Sequence, residues 1–568
     1  MTERAVRLPA WAAVMSGLVG GAVAFAVAFL VAGLVDARAF PVLAVGDAIV
    51  DLSPAWLKNW AIAQFGEYDK VVLLTCVSVV LAGFAAGLGL AARRRIAYAV
   101  AGVVLLGVVG AWAVLSRPGA TAAGILPTAV GTAVGAWTLS WLVRRAMGAP
   151  AAGDEAARRE AAGREAAGGA AAGGEAAGHD AGEAGEAGRA LPYETPPREP
   201  ERPAVIRPGR SAGFDRRRLL QGAAGGLVVA GAAGVAGRVL TDRMAVSGAR
   251  ESLRLPRPAL PAPPLPAGVD LRLNGLSPFV TPNDDFYRVD TALIVPQVDP
   301  RVWSLRVHGL VERPIILTFG DLLRRPLLEA DITLACVSNE VGGPLVGNAR
   351  WLGARLSDLL REARVRRGAD MLLSTSADGW TCGTPIDVVM DGRDSLLAVG
   401  MNGVPLPQAH GFPVRQVVPG LYGYVSATKW IVDIKVTKFT VDQAYWTPRG
   451  WAERAPVKTQ SRIDVPAEGA KVKPGRTAVA GVAWAQHRGI DAVEVRVDGG
   501  PWHVARLAQA PTADTWRQWV FEWDATPGSH TIEVRATDGT GHTQTSTQAP
   551  PVPDGATGWH SRVVSVSG

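Results

Sequence analysis

The chain has 568 residues, too many for one domain, so three or four parts are expected. Hydrophobic residues make up 48% and the formal net charge is +7; the arginines cluster beside apolar runs, which argues against a nucleic-acid-binding surface and fits loops held on the inner side of a membrane. Three widely spaced cysteines exclude a disulfide framework and a zinc ribbon, and Cys336 and Cys382 are expected as free thiols.

Residues 10–35, 71–92, 96–115 and about 119–143 are apolar runs, each close to the ~20 residues that cross ~30 Å of hydrocarbon. Arg93-Arg94-Arg95 separates the second run from the third and predicts a tight hairpin turned toward the cytoplasm. Arg144-Arg145 closes the fourth run on that side, and Arg4 and Arg7 precede the first. Residues 1–145 therefore read as a four-span α-helical bundle in the lipid bilayer. Residues 36–68 fall outside, where Trp56 and Trp60 suit an interfacial segment. No histidine precedes His179, which excludes haem held by paired histidines within these spans. Their expected work is anchoring, partner docking or quinone contact.

From 146 to 215 Ala, Gly and Glu repeat without periodicity and prolines follow, the composition of a disordered linker. Arg216-Arg217-Arg218-Leu219-Leu220-Gln221 then opens a Gly/Ala-rich apolar run, a fifth span over 216–240. The pattern is similar to a twin-arginine export signal and equally serves as a stop of inward-held arginines. Everything after it is expected outside the cytoplasmic membrane, beginning with a stiff Pro-rich spacer at 241–268.

Residues 269–460 alternate short β-type runs (303–307, 315–317) with brief helical ones (319–324, 356–363), which predicts an α+β domain with a mixed sheet. No phosphate loop or dinucleotide fingerprint is present. Ile332-Thr333-Leu334 delivers Cys336 into a loop that turns at Gly342-Gly343. On spacing alone the thiol is either a small buried residue or a soft-metal ligand. Asn402-Gly403 predicts a turn ahead of His410 and Arg415, and Ser426, Thr428 and Lys429 follow. Each of these alone reads as a surface or core residue. Together they form a phosphate cradle and, with a lone loop thiol, point to a large anionic cofactor that brings the remaining metal ligands.

Cys336-Val337-Ser338-Asn339, the run His410 to Arg415, the run Ser426 to Trp430, and Pro282-Asn283-Asp284-Asp285-Phe286-Tyr287-Arg288 resemble, in this order along the chain, the motifs of the sulfite-oxidase family of molybdenum enzymes. The resemblance runs from about 270 to the C-terminus. It implies the molybdenum–molybdopterin cofactor (Mo-co), with Cys336 as metal ligand. It also implies that Tyr287, Arg288, His410, Arg415, Ser426, Thr428 and Lys429 lie against the pterin or its phosphate, with Asp284 and Asp378 carried over as well. Two departures bear on substrate. Where sulfite oxidases place arginine just after the Cys-x-x-Asn unit, this chain has Glu340 and Val341. Where they have a tyrosine near the metal, Trp451 stands nearest. A carboxylate repels an anion, so sulfite is not the expected substrate.

Residues 461–568 alternate cleanly in 493–497 and 531–535, with a hairpin turn at Asp498-Gly499-Gly500 and a heavy tryptophan load, which predicts an immunoglobulin-like β-sandwich. The resemblance implies that this module dimerises the protein. The sequence thus reads as a multi-pass membrane oxidoreductase with its catalytic part outside, catalysing two-electron oxygen-atom transfer at a Cys-ligated molybdenum. Its electrons would pass to an external redox carrier or a quinone-linked partner. Two other readings are a sulfoxide-type reductase fed by a membrane donor and a non-catalytic tethered binding protein; the intact cofactor motifs weigh against the latter. If the arginine triplet is an export signal, replacing Arg216, Arg217 and Arg218 by Lys is expected to trap molybdenum-loaded protein inside the cell. Fractionation with metal analysis reads this, and unchanged export removes the signal.

Overall fold

The structure, a computed structural model, describes residues 8–36, 39–54, 57, 60, 64–65, 69–117, 120–147, 214–243 and 246–567. Most of the expected linker, residues 148–213, lies outside the described residues, as do Arg4, Arg7 and Trp56. The chain forms two compact units, one of residues 1–45, 71–115 and 121–240, the other of 46–70, 116–120 and 241–568.

Among the described residues five helices, lying in the first unit but for the end residues Lys70 and Thr241, are long and apolar enough to cross a membrane: Ala10–Val35, Lys70–Ala92, Ile96–Leu115, Ala122–Ala146 and Arg216–Thr241. The first buries mostly small residues (Ala12, Ala13, Ser16, Gly17, Gly20), which let helix backbones approach closely. Val79, Val80, Phe84, Val104, Leu105 and Val108 are exposed, an apolar outer surface unlike that of a water-soluble bundle.

In the second unit one sheet has the strand order β3-β4-β7-β8, with β9 added on β7: β3 is Leu327–Ala335, β4 Val346–Arg355, β7 Leu396–Met401, β8 Val404–Pro405 and β9 Arg415–Val417. A second sheet has the order β2-β1-β10-β5-β6 (Ile315–Thr318, Ser304–Gly309, Ile431–Thr437, Met371–Ser376, Thr381–Pro385). It is mixed, since β1 runs parallel to β10 while the other pairs are antiparallel. The expected α+β domain is therefore present. The helix Phe319–Leu323 starts where Thr318 and Asp321 close a capping box, and Asn402-Gly403 makes the turn between β7 and β8.

The C-terminal part is a sandwich. Its sheets are β11-β13-β17-β16 (Gln460–Val465, Gly475–Trp484, Arg517–Ala525, Arg506–Leu507) and β12-β19-β18-β14-β15 (Lys471–Val472, His560–Val566, Gly528–Asp538, Ile490–Val497, His503–Val504). Val479, Val493, Val495, Trp519, Ile532, Val534 and Val564 fill the space between them. The turn at Asp498-Gly499-Gly500 closes β14 onto β15, with Gly500 N–H donating to Val497 O at 2.9 Å.

Strand β3 is an edge, and other segments meet its open side at Leu327, Glu329 and Thr333. Ala259 N–H donates to Leu327 O (2.8 Å) and Glu329 N–H to Leu260 O (2.9 Å), so the Pro-rich segment lies along β3 rather than standing free as a spacer. Further along, the sandwich takes over. Thr333 N–H donates to Asp514 O (2.9 Å), Trp516 N–H to Thr333 Oγ1 (2.7 Å), and Gln486 Nε2 to Thr333 O (3.1 Å). Thr333 Oγ1 also donates to Asn348 Oδ1 on β4 at 2.9 Å. Residues 327, 329 and 333 share one direction by the two-residue period of a strand. Thr333→Val is expected to lower stability by about 1–3 kcal/mol, because the buried Trp516 N–H loses its acceptor; a falling Tm in thermal unfolding checks it.

Candidate cofactor site

Cys336 directly follows β3. Its N–H donates to Leu345 O (2.9 Å), Asn339 N–H donates back to Cys336 O (3.1 Å), and Asn339 Oδ1 accepts from Leu345 N–H (2.8 Å). Asn339 thus ties the loop shut across its base. Gly342 has φ +77°, and a Cβ there would lie 2.1 Å from the His560 ring on β19, so no larger residue fits. Arg462 of β11 donates to Gly343 O at 2.9 Å. The loop carrying the thiol is therefore braced by the sandwich. Glu340 is exposed and Val341 half-buried on the same loop.

Tyr287 stands close enough to Cys336 and to Arg415 to interact electrostatically with each. Tyr287 stacks on Phe286 (5.2 Å), which meets Trp351 (5.9 Å) and His410 (5.6 Å) edge-on. Arg415 lies over the Trp351 ring at 4.9 Å and donates to His410 O at 3.2 Å. Gly411, at φ +111°, makes this turn possible: a Cβ there would lie 2.9 Å from the Arg415 Cβ and 3.2 Å from the Lys429 Cα. Asn402 Nδ2 donates to Asn283 Oδ1 (2.9 Å), and the Asn283 carbonyl accepts from His410 Nε2 (3.0 Å), which fixes the Nε2-protonated tautomer.

Below this layer Asp290, with only 4% of its side chain exposed, accepts from Lys429 Nζ (2.7 Å), Arg288 Nε (2.9 Å) and Lys70 Nζ (2.7 Å). Burial opposes its charge, yet Lys429, Lys70 and Arg288 hold its pKa far below the usual carboxylate range. Burial draws Lys429 down to about 8 against the pull of Asp290, with Arg415 and Arg288 adding to the drop. Burial likewise lowers Arg415 to about 10. His410 falls to about 4, through burial and then Arg415, and is neutral at pH 7. Burial raises the Tyr287 phenol and the Cys336 thiol, so both are protonated without a metal.

Of the expected site residues, the structure brings Cys336, Tyr287, Arg288, His410, Arg415 and Lys429 together. The Ser426 hydroxyl is turned inward to Leu421 O (3.1 Å) and Tyr422 O (3.0 Å), and that of Thr428 to Ser374 Oγ (2.7 Å), so neither side chain is presented to a ligand in this form. Asp284 is exposed. Asp378 accepts from Trp380 N–H (3.2 Å) and lies in electrostatic reach of Arg117 instead. Trp451 packs on Tyr424 (5.8 Å) and Trp446 (6.3 Å). Cys336 and Cys382 are both free and buried. Sequence reasoning missed Asp290, Lys70 and the Phe286–Trp351 floor; the Arg-x-Asp spacing of Arg288 and Asp290 was the one available signal.

The donor set fits an anionic cofactor that carries its own metal ligands. Among the described residues no group of three His, Cys, Asp or Glu is placed to hold a metal, so Cys336 offers a single soft donor. Arg415 Nε is buried without a partner, the mark of a missing acceptor. Arg288 and Lys429 share one carboxylate, that of Asp290.

Residues 292–446 match the oxidoreductase molybdopterin binding domain, and residues 460–534 a bacterial Ig domain. The catalytic part is thus that of a molybdopterin-dependent oxidoreductase. Sulfite oxidase of Arabidopsis thaliana is 30% identical over 321 residues, covering 46% of this chain and 80% of the plant protein. An uncharacterised oxidoreductase of Bacillus subtilis is 36% identical over 156 residues, 28% of this chain and 75% of that one. Mitochondrial sulfite oxidase of Mus musculus is 31% identical over 323 residues, 48% of this chain. The match spans 58% of the mouse protein's length. The chain belongs to the sulfite-oxidase family, and its cofactor is molybdenum bound to molybdopterin.

The His410 shift has a defined sign. The unfolded chain takes up a proton near pH 6.5 that the folded site refuses until about 4, so stability is lost as pH falls through that window. His560 shifts the same way, through burial and then Arg562 and Arg462. His410→Gln is expected to flatten the acid limb of a Tm-against-pH curve, removing on the order of 3 kcal/mol of difference between pH 7 and 4.

Proposed function

We propose that this protein is a membrane-anchored oxidoreductase whose molybdenum is ligated by Cys336 and whose catalytic unit faces outward from the cytoplasmic membrane. The single observation that carries the site assignment is that Tyr287 lies within reach of both the buried Cys336 thiol and the buried Arg415, whose Nε lacks an acceptor. When bound, the cofactor supplies two-electron oxygen-atom transfer chemistry. The protein's part is to bind and orient. Arg415, Lys429 and Arg288 receive the anionic side of the pterin. Neutral His410 and protonated Tyr287 offer hydrogen bonds without adding charge next to the metal. Asn339 fixes the loop that aims the thiol.

Outward placement is supported by the second unit's own makeup. Residues 46–70 and 116–120 flank the apolar helices and belong to the same compact unit as residues 241–568. Five membrane-length apolar helices support anchoring, and a carrier or quinone-linked partner then takes or supplies the electrons. Glu340, exposed on the thiol loop, disfavours a small dianion, so sulfite is not the proposed substrate.

Metal and pterin analysis of the purified full chain tests the reading: about one molybdenum and one pterin per chain are expected, and neither would sink it. Cys336→Ala is expected to retain pterin but lose activity to background. Arg415→Gln is expected to cut cofactor affinity about 10–100-fold, read as molybdenum per chain. Assaying sulfite oxidation beside sulfoxide reduction decides the substrate class.

A further inference from the structure

We infer that Lys70, at the start of the second membrane-length helix, is a positioning residue for the cofactor: it keeps Asp290 paired when an anionic group of the cofactor draws Lys429 and Arg288 away. The inference rests on the cofactor reading above and assigns a role to a residue outside the molybdopterin-binding segment 292–446.

The two oxygens of Asp290 are divided. Oδ2 accepts from Lys429 Nζ (2.7 Å) and Arg288 Nε (2.9 Å), while Oδ1 accepts from Lys70 Nζ (2.7 Å). Lys70 also donates to Ala292 O at 2.7 Å, which holds its ammonium on Oδ1, the oxygen that Lys429 and Arg288 do not use. Lys429 and Arg288 lie, with Arg415, within electrostatic reach of His410, so they face the ligand side. An arriving phosphate competes with Asp290 for both. A buried carboxylate stripped of all partners carries a desolvation cost of several kcal/mol, and it would repel the phosphate. Lys70 removes that obstacle, because one oxygen keeps a charge-assisted bond throughout. Lys70, Asp290, Lys429 and Arg288 all lie within one compact unit.

The test measures cofactor release from the detergent-solubilised, full-length, loaded protein, by pterin fluorescence in the filtrate and molybdenum remaining per chain. Lys70→Gln is expected to speed release about tenfold, the effect of one lost charge-assisted contact, and Lys70→Arg to stay within about twofold of wild type. Because Lys70 acts through Asp290, the effect must vanish when the carboxylate is neutralised: Asp290→Asn with Lys70→Gln should release as Asp290→Asn does alone. A K70Q rate equal to wild type overturns the inference. So does a K70Q effect that persists at full size beside D290N, which would mean that Lys70 touches the cofactor directly or only supports the fold. Wild-type protein holding neither molybdenum nor pterin would instead remove the cofactor reading, and this inference with it.

Discussion

A guanidinium buried without a carboxylate is the constraint that the catalytic part is built around. Arg415 lies against the Trp351 ring, spends one nitrogen on the His410 carbonyl and leaves Nε without an acceptor. Keeping such a charge out of water demands that its neighbours not add to it, and they do not. His410 is neutral, Tyr287 is protonated, and the nearest excess of cations is gathered onto Asp290. The site is thus electrostatically unfinished in a directed way, positive on one side and bearing a lone thiol on the other. An acid–base enzyme would place a titrating group between them; here His410 and Tyr287 are held away from titration near neutral pH, as binding rather than proton transfer requires.

The sandwich is more than an appended module. It contributes Asp514, Trp516 and Gln486 to the edge of β3, and His560 and Arg462 to the loop that follows. The strand and the turn that aim Cys336 are therefore held from both sides, by β4 within the sheet and by the sandwich outside it. Together with the Pro-rich segment, these contacts engage Leu327 O, Glu329 N–H and both backbone groups of Thr333 on the outward side of the strand.

Much of this was legible from residues alone. Apolar runs of membrane length, alternation in 493–497, and the Asn402-Gly403 and Asp498-Gly499-Gly500 turns all depend on local pattern, which sequence displays directly. What escaped depends on contact between distant segments. Ser426 and Thr428 looked like phosphate donors because hydroxyls near glycine often are, but their hydroxyls face Leu421, Tyr422 and Ser374. Asp378 was carried over by position, and its surroundings place it toward Arg117. Asp290 carries little local signal, because Lys70 and Lys429, which meet it beside Arg288, come from distant parts of the chain. The Pro-rich stretch read as a stiff spacer from its composition; within it Ala259 and Leu260 bond to β3.

The contact between Gly342 and the His560 ring carries a consequence for the order of folding. The thiol loop turns at residue 342, and its brace stands at residue 560 on a strand of the sandwich. That brace exists only once β19 has paired with its neighbours. The Cys336 loop is therefore held on its outer side only after the sandwich has folded.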